Sequence, residues 1–292
     1  MEKTKITVLG CGSAFSTKNG NSCFLMESGE GKLLVDAGRL LPEMLDRQNV
    51  DMKSITDVYI SHAHSDHAGG LETFAFCTYD WAKKSAFASK ASPTLICNDR
   101  LMKSLWENTL KGGMATLEGL DCDLSTFFNL QPIGPNKSFW WHFWDCHLVQ
   151  QIHIMTGSVI TDTFGLFMTD SISGISVYFV TDSQHCSPHQ LEVFYRRADI
   201  IIQDTELIGV DTISKKMEFC SHVHANYGQL AGWNGSNSTV LPDDIKAKMW
   251  LTHYQDFKLA GKDYFGNPCN WEEIAKNDGF RGFLHTGQTI EI

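Results

Sequence analysis

The run His62-Ala63-His64-Ser65-Asp66-His67 places three imidazoles and a carboxylate within six residues, directly behind the apolar stretch Val58-Tyr59-Ile60. Packing gains nothing from so many polar rings in one place, because a buried ring nitrogen without a partner loses its hydration for no return. Divalent cations of borderline softness want this mixture of nitrogen and oxygen ligands. Two imidazoles on one side of the turn can hold one ion, and the Asp-His pair can hold a second. Such a chain must present its turn rigidly, and the apolar stretch in front of it predicts a strand that does so.

The same arrangement recurs along the chain. Phe179-Val180-Thr181 leads to Asp182, and Trp250-Leu251-Thr252 leads to His253. Strands are predicted at 5–9, 22–26, 32–35, 57–60, 94–96, 148–154, 163–168, 176–180, 200–202 and 249–251. Helices are predicted over 99–110, 189–197 and 243–248, the second opened by the Ser187-Pro188 cap. Asp170-Ser171-Ile172-Ser173-Gly174 reads as a hairpin turn between two apolar runs. Strands alternating with helices predict a layered α/β fold. With no repeat or Pro/Gly-rich linker in 292 residues, the expectation is one domain over 1–292.

Composition narrows the function. The formal charge of −10 argues against a polyanion-binding surface, since tRNA or duplex binding needs a sizeable basic patch. The basic doublets Lys83-Lys84, Arg196-Arg197 and Lys215-Lys216 read as solvated faces. Bound cations would still make a cleft locally positive, so a small anionic substrate remains compatible. No stretch approaches the roughly 18 apolar residues of a membrane span. The opening Met1-Glu2-Lys3-Thr4-Lys5 lacks a signal-peptide core, and nine cysteines show no paired spacing. Together these predict reduced thiols and a cytoplasmic location, that of a host cell if the chain is phage-encoded. The aromatic run Phe139-Trp140-Trp141-His142-Phe143-Trp144 reads as core or dimer interface before a base-stacking platform.

The opening strand with its turn, Lys5-Ile6-Thr7-Val8-Leu9-Gly10-Cys11-Gly12-Ser13, joins Leu33-Leu34-Val35-Asp36-Ala37-Gly38, the histidine turn and Leu251-Thr252-His253 in one pattern. That pattern resembles the metallo-β-lactamase superfamily, and within it the ribonuclease Z-like phosphodiesterases. The resemblance implies a four-layer αββα sandwich with the site at one edge. It implies two divalent metal ions, zinc with manganese as the alternative. His62, His64 and His153 would hold the first, Asp66, His67 and His253 the second, and Asp182 would bridge them. His147 competes with His153 for the third-motif position, and His142 less so. Asp36 would orient a ligand histidine from behind. His224, with His222 as second choice, would protonate the leaving alkoxide, and Glu206 would orient it. Asn21 and Ser22, after the first glycine turn, would contact phosphate or simply form the turn.

Within that branch, Leu105-Trp106-Glu107-Asn108-Thr109-Leu110-Lys111-Gly112-Gly113, Val223-His224-Ala225-Asn226-Tyr227 and Trp250-Leu251-Thr252-His253-Tyr254 are similar to the phage anti-Pycsar cyclic-nucleotide phosphodiesterases and their bacterial relatives. This implies hydrolysis of 3′,5′-cyclic nucleotides to 5′-monophosphates in a homodimer whose partner chain can complete the site, with water activated between the two ions and Asp66 in the catalytic machinery. The alternatives are a tRNA 3′-processing endoribonuclease and an acyl hydrolase of the same fold. Between His153 and Asp182 the chain has too few residues for the long arm with which the tRNA nucleases clamp their substrate.

Overall fold

The apolar runs that end in polar positions become strands, and they sort into two seven-stranded sheets. The computed structural model describes residues 4–79, 92–234 and 239–292, so the Lys83-Lys84 doublet lies outside the described residues. The chain divides into two compact units, one of residues 1–10, 20–137 and 286–292, the other of residues 11–19 and 138–285.

The sheet of the first unit runs, edge to edge, Thr289–Glu291, Lys5–Gly10, Cys23–Ser28, Gly31–Val35, Asp57–Tyr59, Thr94–Asn98 and Asn129–Ile133. The first four pair antiparallel, and from Gly31–Val35 onward the pairing is parallel. Asn129–Ile133, which is not among the predicted strands, carries Pro132, whose missing N–H restricts such a strand to an edge. Helices Leu41–Arg47 and Leu71–Thr78 bury Leu41, Met44, Leu45, Leu71, Phe74 and Ala75 in one cluster with Leu25, Leu34, Val58 and Leu95 of the strands. The predicted helix over 99–110 runs from Asp99 to Leu105, passes through a π-helical turn at Trp106–Leu110, and ends at Met114.

The sheet of the second unit runs Gly282–Phe283, Met249–Thr252, Ile200–Asp204, Ser176–Thr181, Val159–Asp170, Trp144–Thr156 and Ser138–Trp141. Here too one half is parallel and the other antiparallel. Trp144–Thr156 and Val159–Asp170 form one long hairpin, which occupies most of the interval between His153 and Asp182. The 170–174 turn is as predicted: Asp170 accepts from Ile172 N and Ser173 Oγ, and Gly174 adopts a φ of 75°. Ser187 caps a short helix reciprocally with Gln190. Alternation splits the aromatic run: Phe139, Trp141 and Trp144 are buried, while Trp140 and Phe143 are exposed. Arg196 pairs with Glu192, Lys215 with Asp278 and Lys216 with Glu218, as expected of solvated faces. No helix among the described residues is long and apolar enough to cross a membrane, and none of the nine cysteines forms a disulfide.

Two predictions concern stability. Gly38 has an ordinary φ, but a Cβ there would collide with the carbonyl of Asp66 and approach the Asn21 side chain to 2.7 Å. Backbone bonds from Ala37 N to His67 O, Arg39 N to Ser65 O and Gly70 N to Ala37 O stitch the two loops together at 2.7–3.0 Å, so neither can retreat. Gly38→Ala should lose about 1–3 kcal/mol in urea unfolding; an unchanged midpoint would show the loops can part. Glu272 sits beside Lys258 and His285. Burial alone would raise its pKa, but hydrogen bonds from His285 and Lys258 hold it at about 2. A depressed folded-state pKa gives stability that is present above the unfolded value of about 4.3 and is lost as pH falls towards 2. Because the carboxylate is half exposed, Glu272→Gln should cost less than about 1 kcal/mol at pH 7, and nothing near pH 2. Denaturation at both pH values checks this.

Candidate metal centre

In both units most of the polar ligand candidates stand at the carboxyl ends of strands with parallel pairing, where open α/β sheets place their sites. Asp36 follows strand Gly31–Val35 and the histidine turn follows Asp57–Tyr59; Asp182 follows Ser176–Thr181, Asp204 ends Ile200–Asp204, and His253 follows Met249–Thr252. Three residues at these ends hold left-handed backbone: Asp36 (φ 63°), Thr181 (φ 47°) and His253 (φ 62°). For β-branched Thr181 this is a genuine outlier, and such strain of order 1–3 kcal/mol persists where surrounding structure dictates it.

In the first unit, buried Asp36 is the hub. Its Oδ1 accepts from Ser61 N at 2.8 Å, and its Oδ2 accepts from Ser61 Oγ at 2.9 Å and His67 Nδ1 at 2.7 Å. With the Ser61 hydroxyl proton given to Asp36, Ser61 Oγ accepts from His62 Nδ1 at 3.0 Å. Both histidines therefore carry their proton on Nδ1, and Nε2 is left with a lone pair, the ligand form. His62 Nε2 then lies 3.0 Å from His64 Nδ1. Two nitrogens each at about 2.0–2.1 Å from one zinc stand roughly 3 Å apart, so the pair fits a shared ion. Asp66 Oδ2 lies 3.2 Å from His67 Nε2, which makes the second candidate pair.

In the second unit, Asp204 plays the same part. Its Oδ2 accepts from Ser183 N and His224 Nδ1, both at 2.9 Å, and its Oδ1 lies 3.2 Å from His253 Nδ1. Asp182 turns Oδ1 towards His253 Nε2 at 3.3 Å and Oδ2 towards His153 Nε2 at 3.7 Å. His153 gives its Nδ1 proton to Val223 O at 2.7 Å, which again leaves Nε2 as the ligand atom. Its position rests on a bulge: the pairing register with Val159–Asp170 shifts between Ile152 and Ile154, which re-aims the residue between them. One ligand atom each from Asp182, Asp204, His224 and His253 falls within 4.8 Å of the others. Two buried carboxylates this close repel each other unless cations or protonated imidazoles intervene, so the donor set fits a metal.

Electrostatics divides the histidines. Burial lowers the pKa of His153, keeping it neutral as a ligand must be. Burial would lower His224 as well, but the carboxylates of Asp204 and Asp182 outweigh it and hold that pKa above the ordinary histidine value. Burial would raise Asp204, and His224 with His253 holds it below the usual carboxylate range.

Several sequence expectations are placed differently. Asp204, not Glu206, holds the Nδ1 of His224; Glu206 accepts from Ser221 N at 2.8 Å, because the strand ends at Asp204 and the chain turns away after it. The signal was present in Gln203-Asp204-Thr205-Glu206, since the last residue of a strand faces the site and its successors leave it. His147 pairs with Asp145 at the exposed surface, and His222 lies beside Cys220. Exposed His142 sits in the turn before Trp144. Asn21 and Ser22 are buried in the loop before strand Cys23–Ser28, Asn21 against Gly38.

A family model described as anti-Pycsar protein Apyc1 matches residues 4–290. Several proteins of that name are similar across most of their lengths. The one from Paenibacillus sp. (strain J14) is 35% identical over 270 residues, 90% of this chain and 94% of that one. The one from Paenibacillus harenae is 31% identical over 259 residues (86% and 90%), and the one from Bacillus phage BSP38 is 28% identical over 262 residues (88% and 91%). Among solved structures, the metallo-β-lactamase fold protein YhfI from Bacillus subtilis superposes with a TM-score of 0.63 at 16% identity, covering all of both chains. The short form of human tRNase Z gives 0.64 at 14% identity (98% of each chain), and yeast PDE1 gives 0.64 at 15% (100% of each). These likenesses show the fold, which is that of the metallo-β-lactamases.

The hub yields a prediction. Asp36→Ala leaves Ser61 N, Ser61 Oγ and His67 Nδ1 without their acceptor, so unfolding should cost roughly 2–4 kcal/mol less. Metal affinity should fall about 10–100-fold, read by competition with a chelating dye. Unchanged affinity would mean His67 needs no orientation.

Proposed function

Because the chain belongs to the anti-Pycsar protein Apyc1 family, we propose that it is a metal-dependent phosphodiesterase that hydrolyses 3′,5′-cyclic nucleotides to 5′-monophosphates and so counters cyclic-nucleotide immune signalling. In this reading His62, His64 and His153 hold one divalent cation, Asp66, His67 and His253 hold a second, and Asp182 bridges them. The orientation of the Asp182 oxygens, one towards each of two histidines, supports the bridging role. When bound, two such cations supply Lewis-acid charge and lower the pKa of a water to near neutral. Imidazole-rich ligation suits zinc, with manganese the alternative.

The observation that carries the reading is the His224–Asp204 pair. Opening the ring to a 5′-monophosphate breaks the bond between phosphorus and the 3′-oxygen, and the departing alkoxide needs a proton. His224 Nδ1 is held by Asp204, so the opposite edge is left to donate through Nε2. The Asp204 and Asp182 carboxylates shift that pKa upward, the direction a general acid requires. An acyl hydrolase has no comparable need for it. The hairpin that fills the 153–182 interval and the charge of −10 weigh against a clamped tRNA. We further propose a homodimer, with no stable polymeric nucleic-acid partner.

Purified protein loaded with zinc or manganese should convert cyclic mononucleotides to 5′-monophosphates and leave unprocessed tRNA intact; cleavage of tRNA alone would overturn the proposal. His64→Ala and Asp66→Ala should each release metal and abolish turnover, read by metal analysis after gel filtration. His224→Ala should retain metal and lose about 10²–10⁴-fold in kcat. A variant matching the parent would remove His224 from the mechanism.

A further inference from the structure

A cavity of about 280 Å³ in the second unit is bordered by Phe15, Glu206, Ile208, Val223, His224 and His253. Phe15 and Glu206 have no task in the chemistry above. Phe15 is 90% exposed, more than any other large hydrophobic side chain among the described residues. Its loop is nevertheless pinned. Ser13 N donates to Tyr254 O at 3.1 Å, Ser16 N to Ser13 O at 3.0 Å, and Thr17 N to Asp256 Oδ2 at 3.0 Å, while Ser16 Oγ donates to Asp256 Oδ1. A phenyl ring held in water by a rigid loop at the rim of a cavity is a stacking surface awaiting a planar group.

Glu206 is the reverse case. It is fully buried, and its backbone is locked by Glu206 N to Ala225 O and Tyr227 N to Glu206 O, both 2.9 Å. Oε1 accepts from Ser221 N, and Oε2 has no partner. A buried carboxylate oxygen is costly unless a donor reaches it, and the cavity is where one can enter. Among the described residues no lysine or arginine borders the cavity, so away from His224 and His253 it suits the uncharged part of a nucleotide. Its size suits one small ligand and not a polymer.

We propose that this cavity is the nucleoside subsite: Phe15 stacks on the base, and Glu206 Oε2 accepts a hydrogen bond from the ribose 2′-hydroxyl. The assignment rests on the phosphodiesterase reading, and it makes the enzyme selective for ribonucleotides and tolerant of the base, since every base offers a π-face. The test compares 3′,5′-cyclic AMP with its 2′-deoxy analogue on the metal-loaded parent and on Phe15→Ala, Phe15→Trp and Glu206→Gln. The parent should prefer the ribonucleotide about 10–100-fold, the contribution of a hydrogen bond to a charged acceptor. Glu206→Gln should shrink that preference severalfold. Phe15→Ala should lose about 5–100-fold, mostly in KM, and Phe15→Trp should keep parental KM.

A second readout needs no turnover: the added fluorescence of Phe15→Trp, measured against the parent, should be quenched by AMP and less strongly by 2′-deoxy-AMP. Quenching with no hydrolysis of any cyclic nucleotide would sustain the subsite and discard the phosphodiesterase reading. Hydrolysis with equal rates for ribose and deoxyribose, or with Phe15→Ala within twofold of the parent, would overturn the subsite. So would a Phe15→Ala protein that dissociates on gel filtration, which would make Phe15 a contact between copies.

Discussion

Two buried carboxylates, Asp36 and Asp204, fix the protonated edge of the histidines around them. Each gathers donors from a strand end, a neighbouring loop and at least one imidazole. Removing water from an ion of this kind costs several kcal/mol, and only a full set of short hydrogen bonds offsets it. The geometry is therefore stiff: neither carboxylate can shift without stranding another buried group. Stiffness is useful here because cation ligands must be held to within about half an ångström of their working positions. By accepting at Nδ1, Asp36 and Asp204 also decide which ring nitrogen of His67 and His224 is left for chemistry.

The sheets explain why such hubs stand where they do. In each unit strands of the parallel half end together, so residues at or shortly past several of those ends fall in a common row. Left-handed backbone at Asp36, Thr181 and His253 lets the chain leave its strand sharply while the side chain stays behind. At Asp36 the backbone bonds that join Ala37 and Arg39 to the histidine turn, and Gly70 to Ala37, hold the strained loop in place. Gly38 belongs to the same device. It provides space for a carbonyl where any Cβ would intrude.

The histidine turn, the polar residues closing apolar strands, and most strands of both sheets were legible in the sequence because each is a local pattern: a ligand cluster, a period of two, or an apolar run with a polar stop. The strand at 129–133 was not, because proline and asparagine mask it and only its edge position permits them. His153 could be proposed from sequence but not distinguished from His147, since both lie in one strand and the difference is a bulge at one of them.

The sequence by itself determined what kinds of group the chain offers a metal, that its surface is acidic, and that rigid strands deliver those groups, because composition and spacing are local facts. Only the tertiary structure decided which carboxylate serves which histidine. Asp204 and Glu206 are two residues apart, yet one accepts from His224 Nδ1 and the other from Ser221 N, at the border of a cavity. That choice depends on where the strand stops and on what the neighbouring loops bring to it, and both follow from long-range pairing, which no single stretch of sequence contains.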